Sequence, residues 1–361
     1  MIDIEWRGTF DVSGYGIWCR KLCKILIESG EYNVKVISVR KRLEPEDYFY
    51  EYQDIQLDDP IRVENLIPIF PPINEEKTGF CTCTELKTPP YDQIQNLEMA
   101  DFVIGLSSFS TRAYKSVVSN KKKVFKVNFP FFKDEFSPKG KSFKFENIKD
   151  ETFKFLTIGR IDVRKNLECL IKNFTEEFGD ERNVALIVKT YSPDTCLPLW
   201  FNSLNPSKNI YLLDEKLPNM SYLYRSVDAY ITTDLGEAWS GPCTEAMLSG
   251  IPTIAPRHSG HLDYMNDDNS WLIDVSGWRK IGYREDNKYR NLLPDYGEVK
   301  YPIDNSVKEK MREVYNEFKS IPKKERTEHE KIKNALKVFD LVKPEVILSQ
   351  LNKCFKWVNN N

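Results

Sequence analysis

The stretch Asp234–Gly250, DLGEAWSGPCTEAMLSG, indicates how the chain folds. The run Ala229–Thr233 just before it is apolar and partly β-branched, which is typical of a buried strand. Pro242 favours the first turn of a helix, and Gly250 favours its end. The succession of strand, loop and short helix predicts one unit of a parallel sheet, in which the loops at the carboxyl ends of strands collect ligands.

Carboxylates and helix amides come together in this stretch. Glu237 lies in the predicted loop, and Glu245 follows it after seven intervening residues, in the first turn of the helix. N–H groups at a helix start attract phosphate, and here the predicted binding segment comprises Ser240, Gly241, Pro242, Cys243 and Thr244. A sugar diphosphate fits this layout. The alternative is that Glu245 only favours the helix dipole and Glu237 is solvated.

Length and composition limit the possible classes of protein. A chain of 361 residues predicts two domains, and 41% apolar with 13% aromatic residues predicts an ordered globular protein. A net charge of -2 gives no general attraction to nucleic acid or to an anionic membrane. The eight cysteines lack a zinc spacing and indicate free thiols in a reducing compartment. With no secretory signal and no membrane-spanning stretch, we expect a cytoplasmic protein.

The beginning of the chain predicts a βαβ unit. Ile2–Trp6 and Val34–Val39 have the composition of strands, and an amphipathic helix lies between them. Gly14, Tyr15 and Gly16 open that helix, where a Gly-x-Gly pair lets backbone approach a ligand. The third glycine of the dinucleotide fingerprint is absent. A simple turn is the alternative.

Further strands are predicted before residue 150. Ile67–Phe70 predicts a short strand, and Ala100–Leu106 predicts a buried strand followed by a helix that Ser107 caps. Eight lysines between 121 and 144 are typical of a solvated surface; the alternative is a border for an anionic acceptor. The polar segment Pro138–Asp150 predicts a linker between domains.

The second half of the chain alternates strands and helices. Phe153–Ile158 predicts a strand, and a Gly-Arg-x4-Lys-Asn motif follows it, with Arg160 and Lys165 at the strand tip. Lys189 ends a later strand, where it could support a diphosphate. This alternation predicts a second parallel sheet with helices on both faces.

The motifs together resemble a known family. Glu237-x7-Glu245 with its interior Gly-Pro and the following Glu-Ala-Met frame resembles the signature of family 4 glycosyltransferases, which are retaining enzymes with the GT-B fold. The Gly-Arg-x4-Lys-Asn motif resembles the family's donor-phosphate element. The resemblance implies an α/β chain with two Rossmann-like domains facing a cleft, 1–145 and 146–342, and a final helix, 343–361, that returns to the first domain.

The resemblance also implies residue roles. Arg160 and Lys165 would stabilise the departing diphosphate, Glu237 would hold sugar hydroxyls, and Glu245 would hold the ribose. The glycine-rich opening would face donor phosphates and acceptor, and Glu85 matches a Glu of a family segment in the first domain. No metal or other cofactor is implied beyond the nucleotide-sugar co-substrate. A histidine that many relatives carry in the first domain is absent, since the histidines are His258, His261 and His329.

The expected function is therefore a metal-independent hexosyltransferase that moves a sugar from a nucleotide-sugar donor to a hydroxyl of a glycan, a protein or a small molecule. Three alternatives stay open: the same chemistry on modified nucleic acid, another enzyme such as an epimerase or a phosphorylase, and a non-catalytic binder of sugar nucleotides or glycans. The sequence assigns no base, sugar, acceptor or oligomeric state. It also assigns no role to the segments 43–60 and 275–305.

Overall fold

The computed structural model describes residues 1–190, 197–281 and 297–361. It divides into two compact units. The first comprises Met1–Lys133 and Asp340–Asn361, and the second comprises Asp134–Phe339. The unassigned segment 275–305 lies partly outside the described residues.

The first unit is a parallel sheet with helices. Its strands lie in the order β2-β1-β3-β4-β5-β6. β4 and β5 are buried along their whole length, as expected for parallel strands covered on both faces. The elements are β1 (Ile2–Gly8), α1 (Gly14–Ser29), β2 (Tyr32–Ser38), β3 (Ile61–Asn65), β4 (Thr78–Thr82), α2 (Tyr91–Met99), β5 (Phe102–Gly105), α3 (Ser108–Lys115) and β6 (Val124–Lys126).

One predicted strand of the first unit is wrong. The prediction placed a strand at Ile67–Phe70, whereas the structure has the strand at Ile61–Asn65. The segment Ile67–Phe70 follows this strand as a turn, in which Phe70 is 73% exposed. Pro68 has no N–H for a sheet ladder, and Pro71 follows the segment directly. Composition alone favoured the apolar segment, whereas the hydrogen-bonding capacity of its backbone excludes it from the sheet.

The second unit contains the second parallel sheet. Its strand order is β12-β11-β10-β7-β8-β9, and a small antiparallel pair, β13-β14, lies apart from it. The elements are β7 (Phe153–Ile158), α4 (Leu167–Phe178), β8 (Val184–Lys189), α5 (Leu197–Ser203), β9 (Ile210–Leu213), α6 (Met220–Ser226), β10 (Ala229–Ile231), α7 (Gly241–Leu248), β11 (Thr253–Pro256), β12 (Trp271–Ile273), β13 (Arg279–Lys280), β14 (Glu298–Val299), α8 (Asp304–Phe318) and α9 (Glu330–Leu336).

The chain returns to the first unit at its end. A short helix, α10 (Phe339–Val342), leads into α11 (Pro344–Asn359). The backbone N–H of Asn128 donates to the side-chain carbonyl of Gln350 at 2.8 Å, and Tyr32 packs edge-on against Phe355 with ring centres 5.7 Å apart. The predicted return of the last helix to the first domain is confirmed.

The segment after Lys133 belongs to the second unit, so the observed division lies earlier than the predicted boundary after residue 145. Arg225 donates to the carbonyl oxygens of Ser137 at 3.2 Å and Lys141 at 2.7 Å. The polar composition of the segment favoured a free linker. Its backbone carbonyls instead attach it to α6.

The described residues contain neither a membrane-spanning helix nor a disulfide. Within residues 1–190, 197–281 and 297–361, no helix combines the length and the apolar character that crossing a membrane requires. No disulfide joins the cysteines in these ranges, and Cys196 lies outside them.

Candidate active site

The candidate site lies where the strand order of the second sheet reverses. From β7 the chain continues to β8 and β9 on one side, and then to β10, β11 and β12 on the other. Helices on the two sides of such a reversal diverge, which opens a crevice at the carboxyl ends of the strands. The loop Gly159–Asn166 follows β7, and the loop Thr232–Ser240 follows β10. Both sequence motifs therefore flank this crevice.

Hydrogen bonds join the two loops directly. The N–H of Leu235 donates to the carbonyl of Arg164 at 2.7 Å. The side chain of Asn166 donates to the carbonyl of Thr233 at 3.1 Å, and the Thr233 hydroxyl donates to the carbonyl of Asn166 at 3.0 Å. The Asn of the Gly-Arg-x4-Lys-Asn motif therefore fixes the loop that carries Glu237.

An ion-pair cluster lies at the centre of the site. Oε1 of Glu237 accepts from Nζ of Lys165 and from Nη1 of Arg164. The three side chains are only 10–13% exposed, so water screens these charges little. Sequence analysis predicted Lys165 and Glu237 but missed Arg164. The available signal was a second cation directly before the motif lysine.

The cations of the cluster keep the Glu237 carboxyl ionised. Burial alone would raise the pKa of Glu237, but Arg164 and Lys165 outweigh it and lower that pKa to about 2. Burial raises the pKa of the neighbouring Asp234, and the charge of Glu237 raises it further. Asp234 Oδ2 accepts from the Thr232 hydroxyl at 2.8 Å. Glu237 is therefore an ionised hydrogen-bond acceptor in the site.

No side chain caps the start of α7. Ser240 precedes the helix in a left-handed conformation (φ 70°), and its side chain does not cap the helix. Its hydroxyl donates to Sγ of Cys243 at 3.2 Å instead, and its carbonyl accepts from the Tyr264 hydroxyl at 2.8 Å. The first N–H groups of α7, beginning at Gly241, are left without a side-chain cap. An uncapped start of this kind favours anion binding.

The other predicted residues of α7 divide into two groups. Cys243 and Thr244 are buried, and the Thr244 hydroxyl accepts from the indole N–H of Trp239 at 3.1 Å, so their side chains belong to the packing. Glu245 is half-buried, and Tyr224 donates its hydroxyl proton to Oε2 of Glu245 at 2.8 Å. Pro242 occupies the first turn of the helix, as predicted from the sequence.

A loop that sequence analysis did not include supports Glu237. The N–H of Glu237 donates to Oγ of Ser259 at 3.0 Å, and the N–H of Gly260 donates to the carbonyl of Glu237 at 2.8 Å. A Cβ on Gly260 would overlap the carbonyl of Ala238, so only glycine permits this close approach. The Ser-Gly pair was visible in the sequence, but its partner was not.

The two histidines beside this loop are buried in the same unit. The pKa of His258 is lowered to about 3, chiefly by burial and to a smaller extent by the charges of His261 and Lys300. Nε2 of His261 lies 2.5 Å from the carbonyl of Pro256. Among the described residues, no group of three or more His, Cys, Asp or Glu side chains is arranged to hold a metal ion.

The remaining predicted cations differ in their surroundings. Arg160 is exposed, and within the described parts of the chain its side chain forms no hydrogen bond or ion pair. Lys189, at the end of β8, is buried and donates to the carbonyl of Thr190 at 3.1 Å. Burial lowers the pKa of Lys189, and Asp214 and Glu215 oppose that shift. Arg160 is thus the more accessible of the two.

The other predicted residues lie in the first unit, at its own reversal of strand order between β1 and β3. Gly14 begins α1, and a Cβ on Gly16 would overlap the backbone of Asp11. The Tyr15 hydroxyl accepts from the N–H of Cys83 at 3.1 Å and lies 3.1 Å from Oγ1 of Thr82. This hydroxyl therefore connects the start of α1 to the end of β4.

Glu85 lies at the same edge of the first sheet, three residues after β4. It is half-buried, and its charge contributes to the raised pKa of Tyr114, of which burial is the largest cause. Gly14, Tyr15, Gly16 and Glu85 thus belong to the first unit. The other predicted site residues all belong to the second.

A family model of glycosyltransferases matches part of this chain. Residues 138–282 match the family model described as glycosyl transferases group 1. The matched range contains the two loops around the ion-pair cluster. With the fold, the match supports a glycosyltransferase as the class of protein. Among curated protein sequences, none matches this chain significantly.

Solved structures show the fold. Sucrose-phosphate synthase from Thermosynechococcus elongatus aligns with a TM-score of 0.67 and 12% identity, over 100% of both chains. HepE from Anabaena, solved with UDP and glucose, aligns with a TM-score of 0.62 and 11% identity, over 99% of this chain and 100% of the HepE chain. The pneumococcal O-GlcNAc transferase GtfA, solved with UDP and GlcNAc, aligns with a TM-score of 0.56 and 12% identity, over 83% of this chain. This chain spans only 57% of GtfA. The shared architecture is the GT-B fold.

Proposed function

We propose that the protein is a retaining glycosyltransferase of family 4, which transfers a hexose from a nucleotide sugar to an acceptor hydroxyl. The contact between Lys165 and Glu237 carries this proposal, because it joins the two sequence motifs at the strand reversal of the second sheet. The structures of HepE and GtfA, solved with UDP and a sugar, support a nucleotide-sugar donor.

The charges of the site suit a departing diphosphate. When the bond between sugar and phosphate breaks, negative charge grows on the diphosphate, and fixed cations and amides stabilise it. Arg160, Lys165 and the N–H groups at the start of α7 would supply that stabilisation. Glu237 would accept hydrogen bonds from sugar hydroxyls, and Glu245 would accept them from the ribose.

The low pKa of Glu237 argues against a covalent role for this carboxylate. A carboxylate with a pKa of about 2 is a weak base and a weak nucleophile. We therefore assign attack to the acceptor hydroxyl, from the side on which the diphosphate leaves. The bond from the anomeric carbon to the phosphate oxygen breaks, the bond to the acceptor oxygen forms, and the hydroxyl proton passes to the phosphate.

We also propose that transfer needs no metal ion, because cations and amides supply the neutralising charge that Mg²⁺ supplies elsewhere. Full activity in excess EDTA is the expected result. Complete loss of activity that Mg²⁺ restores would contradict it. A cytoplasmic location stays part of the proposal.

The test begins with binding. A panel of UDP-, GDP- and ADP-sugars should contain at least one donor that raises the unfolding temperature, because a ligand at 100 times its Kd stabilises the folded state by about 2.7 kcal/mol. That donor is then tested for release of its nucleoside diphosphate with and without candidate acceptors. Stabilisation by none of the donors would contradict the proposal.

A non-catalytic binder is the second candidate, because the three histidines of the chain all lie in the second unit. A binder would take up a nucleotide sugar without turnover. Turnover by the wild type that Glu237→Ala abolishes would establish the enzyme and exclude the binder.

A further inference from the structure

We propose that Arg164 is the positioning residue of the donor site: it keeps Glu237 oriented toward the sugar while Lys165 turns to the diphosphate. This inference rests on the proposed function. Arg164 and Lys165 are adjacent in the sequence and both contact Glu237, but they would have different roles when the donor binds.

Arg164 is attached to the Glu237 loop at three successive residues. Its carbonyl accepts from the N–H of Leu235 at 2.7 Å, and its Nη1 donates to the carbonyl of Gly236 at 3.1 Å and to Oε1 of Glu237. Backbone and side chain thus both hold the loop. The planar guanidinium is therefore fixed in direction before any ligand binds.

Lys165 is attached differently. Its N–H donates to Oδ1 of Asp162 at 2.8 Å, which fixes its backbone within its own loop. Its contact with Glu237 is made by the ammonium group, which ends a flexible four-carbon stem. The ammonium can therefore change partner by rotation of the side chain alone.

Charge balance gives the two cations different roles. Without ligand, the Glu237 carboxylate contacts both cations, and the neighbouring Asp234 carboxyl also interacts with Lys165. One of the two cations can therefore pair with a diphosphate while the other stays on Glu237. Once Lys165 pairs with the diphosphate, Glu237 still needs a partner, since an unpaired buried carboxylate is costly. Arg164 supplies that partner. Glu237 then stays ionised, with its second oxygen available for sugar hydroxyls.

The role predicts a selective defect. Without Arg164, the diphosphate would still find Arg160, Lys165 and the start of α7. The contribution of the sugar to binding would be lost, because the carboxylate that accepts its hydroxyls is displaced or protonated. The measurable quantity is the ratio of Kd for a nucleoside diphosphate to Kd for the corresponding nucleotide sugar.

The experiment measures this ratio by calorimetry for UDP and UDP-glucose, GDP and GDP-mannose, and ADP and ADP-glucose. The variants are Arg164→Ala, Arg164→Lys and, as a matched arginine of the same loop, Arg160→Ala. For the pair that wild type binds, Arg164→Ala should lower the ratio at least tenfold, and Arg164→Lys should restore part of it. Arg160→Ala should weaken both ligands equally and leave the ratio unchanged.

A pH series separates positioning from a general packing role. The terminal phosphate of a nucleoside diphosphate gains a proton at about pH 6, which changes the ratio in every variant alike, so each variant ratio is divided by the wild-type ratio at the same pH. For Arg164→Ala this quotient should fall further as the pH drops from 7 to 5, since burial then favours the protonated carboxyl of Glu237, which Arg164 keeps ionised in wild type. If Arg164→Ala fails to fold, Arg164→Gln carries the same test, because it removes the charge and retains hydrogen-bond donors.

The outcomes are distinct. If the ratio of Arg164→Ala equals that of wild type at every pH from 7 to 5, the positioning role is overturned and the proposed function still stands. A wild type that binds none of the six ligands overturns the proposed function and this inference with it.

Discussion

The two units share an architecture but differ in how their strand reversals are built. In the second unit, Glu237, Arg164 and Lys165 form a buried ion-pair cluster beside the uncapped start of α7. In the first unit, the corresponding edge carries Gly16, whose backbone contacts its own loop, and Tyr15, whose hydroxyl bonds to the end of β4. One edge is electrostatic, and the other is built on close backbone packing and neutral hydrogen bonds.

This difference shows that the fold determines where a crevice opens, whereas the side chains determine which ligand the crevice can bind. A parallel sheet opens a crevice wherever its strand order reverses, whatever its sequence. On the proposed function, the buried charges of the second unit would bind the diphosphate, which would make this unit the donor side. Removing a charge of the cluster should therefore lower activity as well as stability, whereas changes at the close-packed edge of the first unit should chiefly lower stability.

The largest effect is expected for Glu237→Gln. The substitution keeps the shape of the side chain and removes its charge, so Lys165 and Arg164 lose their shared partner and the sugar loses an ionised acceptor. We expect kcat/KM for the donor to fall at least 100-fold, which corresponds to about 2.7 kcal/mol of transition-state stabilisation. Steady-state release of the nucleoside diphosphate measures it.

The matched control is Glu176→Gln, an exposed glutamate of α4 that pairs with Lys308 at the surface. It should change kcat/KM less than twofold. Equal losses in both variants would mean that the cluster around Glu237 has no special part in the reaction.

The next effect compares the two motif cations. Lys165→Ala should weaken binding of the nucleoside diphosphate and also disturb Glu237, so we expect a loss of about 30-fold or more in kcat/KM. Arg160→Ala removes an exposed cation without disturbing the cluster, so we expect a loss of about tenfold. Should Arg160→Ala be the more severe variant, the buried cluster would not be the main diphosphate contact.

The charge of Glu237 also predicts how stability depends on pH. Its pKa is lowered from 4.5 to about 2 in the folded protein, so its contribution is complete above about pH 5 and disappears as the pH falls toward 2. The contribution is about 3 kcal/mol. The difference in free energy of unfolding between wild type and Glu237→Gln, measured in urea, should therefore shrink between pH 5 and pH 2. A difference that stays constant over this range would show that Glu237 is not held ionised by its neighbours.

The smallest effect distinguishes two glycines of the first unit. A Cβ at position 16 would overlap the backbone of Asp11, whereas a Cβ at position 14 would have no atom within 4 Å. Gly16→Ala should lower the free energy of unfolding by about 1–3 kcal/mol, and Gly14→Ala should change it by less than about 0.5 kcal/mol. Chemical denaturation of the two variants measures this. Similar values for both would show that close packing does not define this edge.

Features that depend on residues close together in the sequence could be predicted from it. The strand predicted at Phe153–Ile158 is β7 with the same bounds, and Ser107 caps α3 as predicted, by accepting from the N–H of Ser110 at 3.2 Å. Lys165 and Glu237 were predicted as members of one site, because each belongs to a motif of fixed spacing.

Features that depend on distant partners could not be predicted in this way. Arg164 stands between two motif positions, and its value lies in the carbonyl of Gly236 and the carboxylate of Glu237, more than 70 residues away along the chain. The contact of Gly260 with the Glu237 loop has the same origin. Periodicity and spacing carry no information about such pairs.

The most direct test of the central claim is a crystal structure with the nucleoside diphosphate that stabilises the protein most. The account predicts that its phosphate oxygens lie about 3 Å from Arg160, from Nζ of Lys165 and from the N–H of Gly241, with Arg164 still bonded to Glu237. A diphosphate bound away from the loops after β7 and β10 would contradict it.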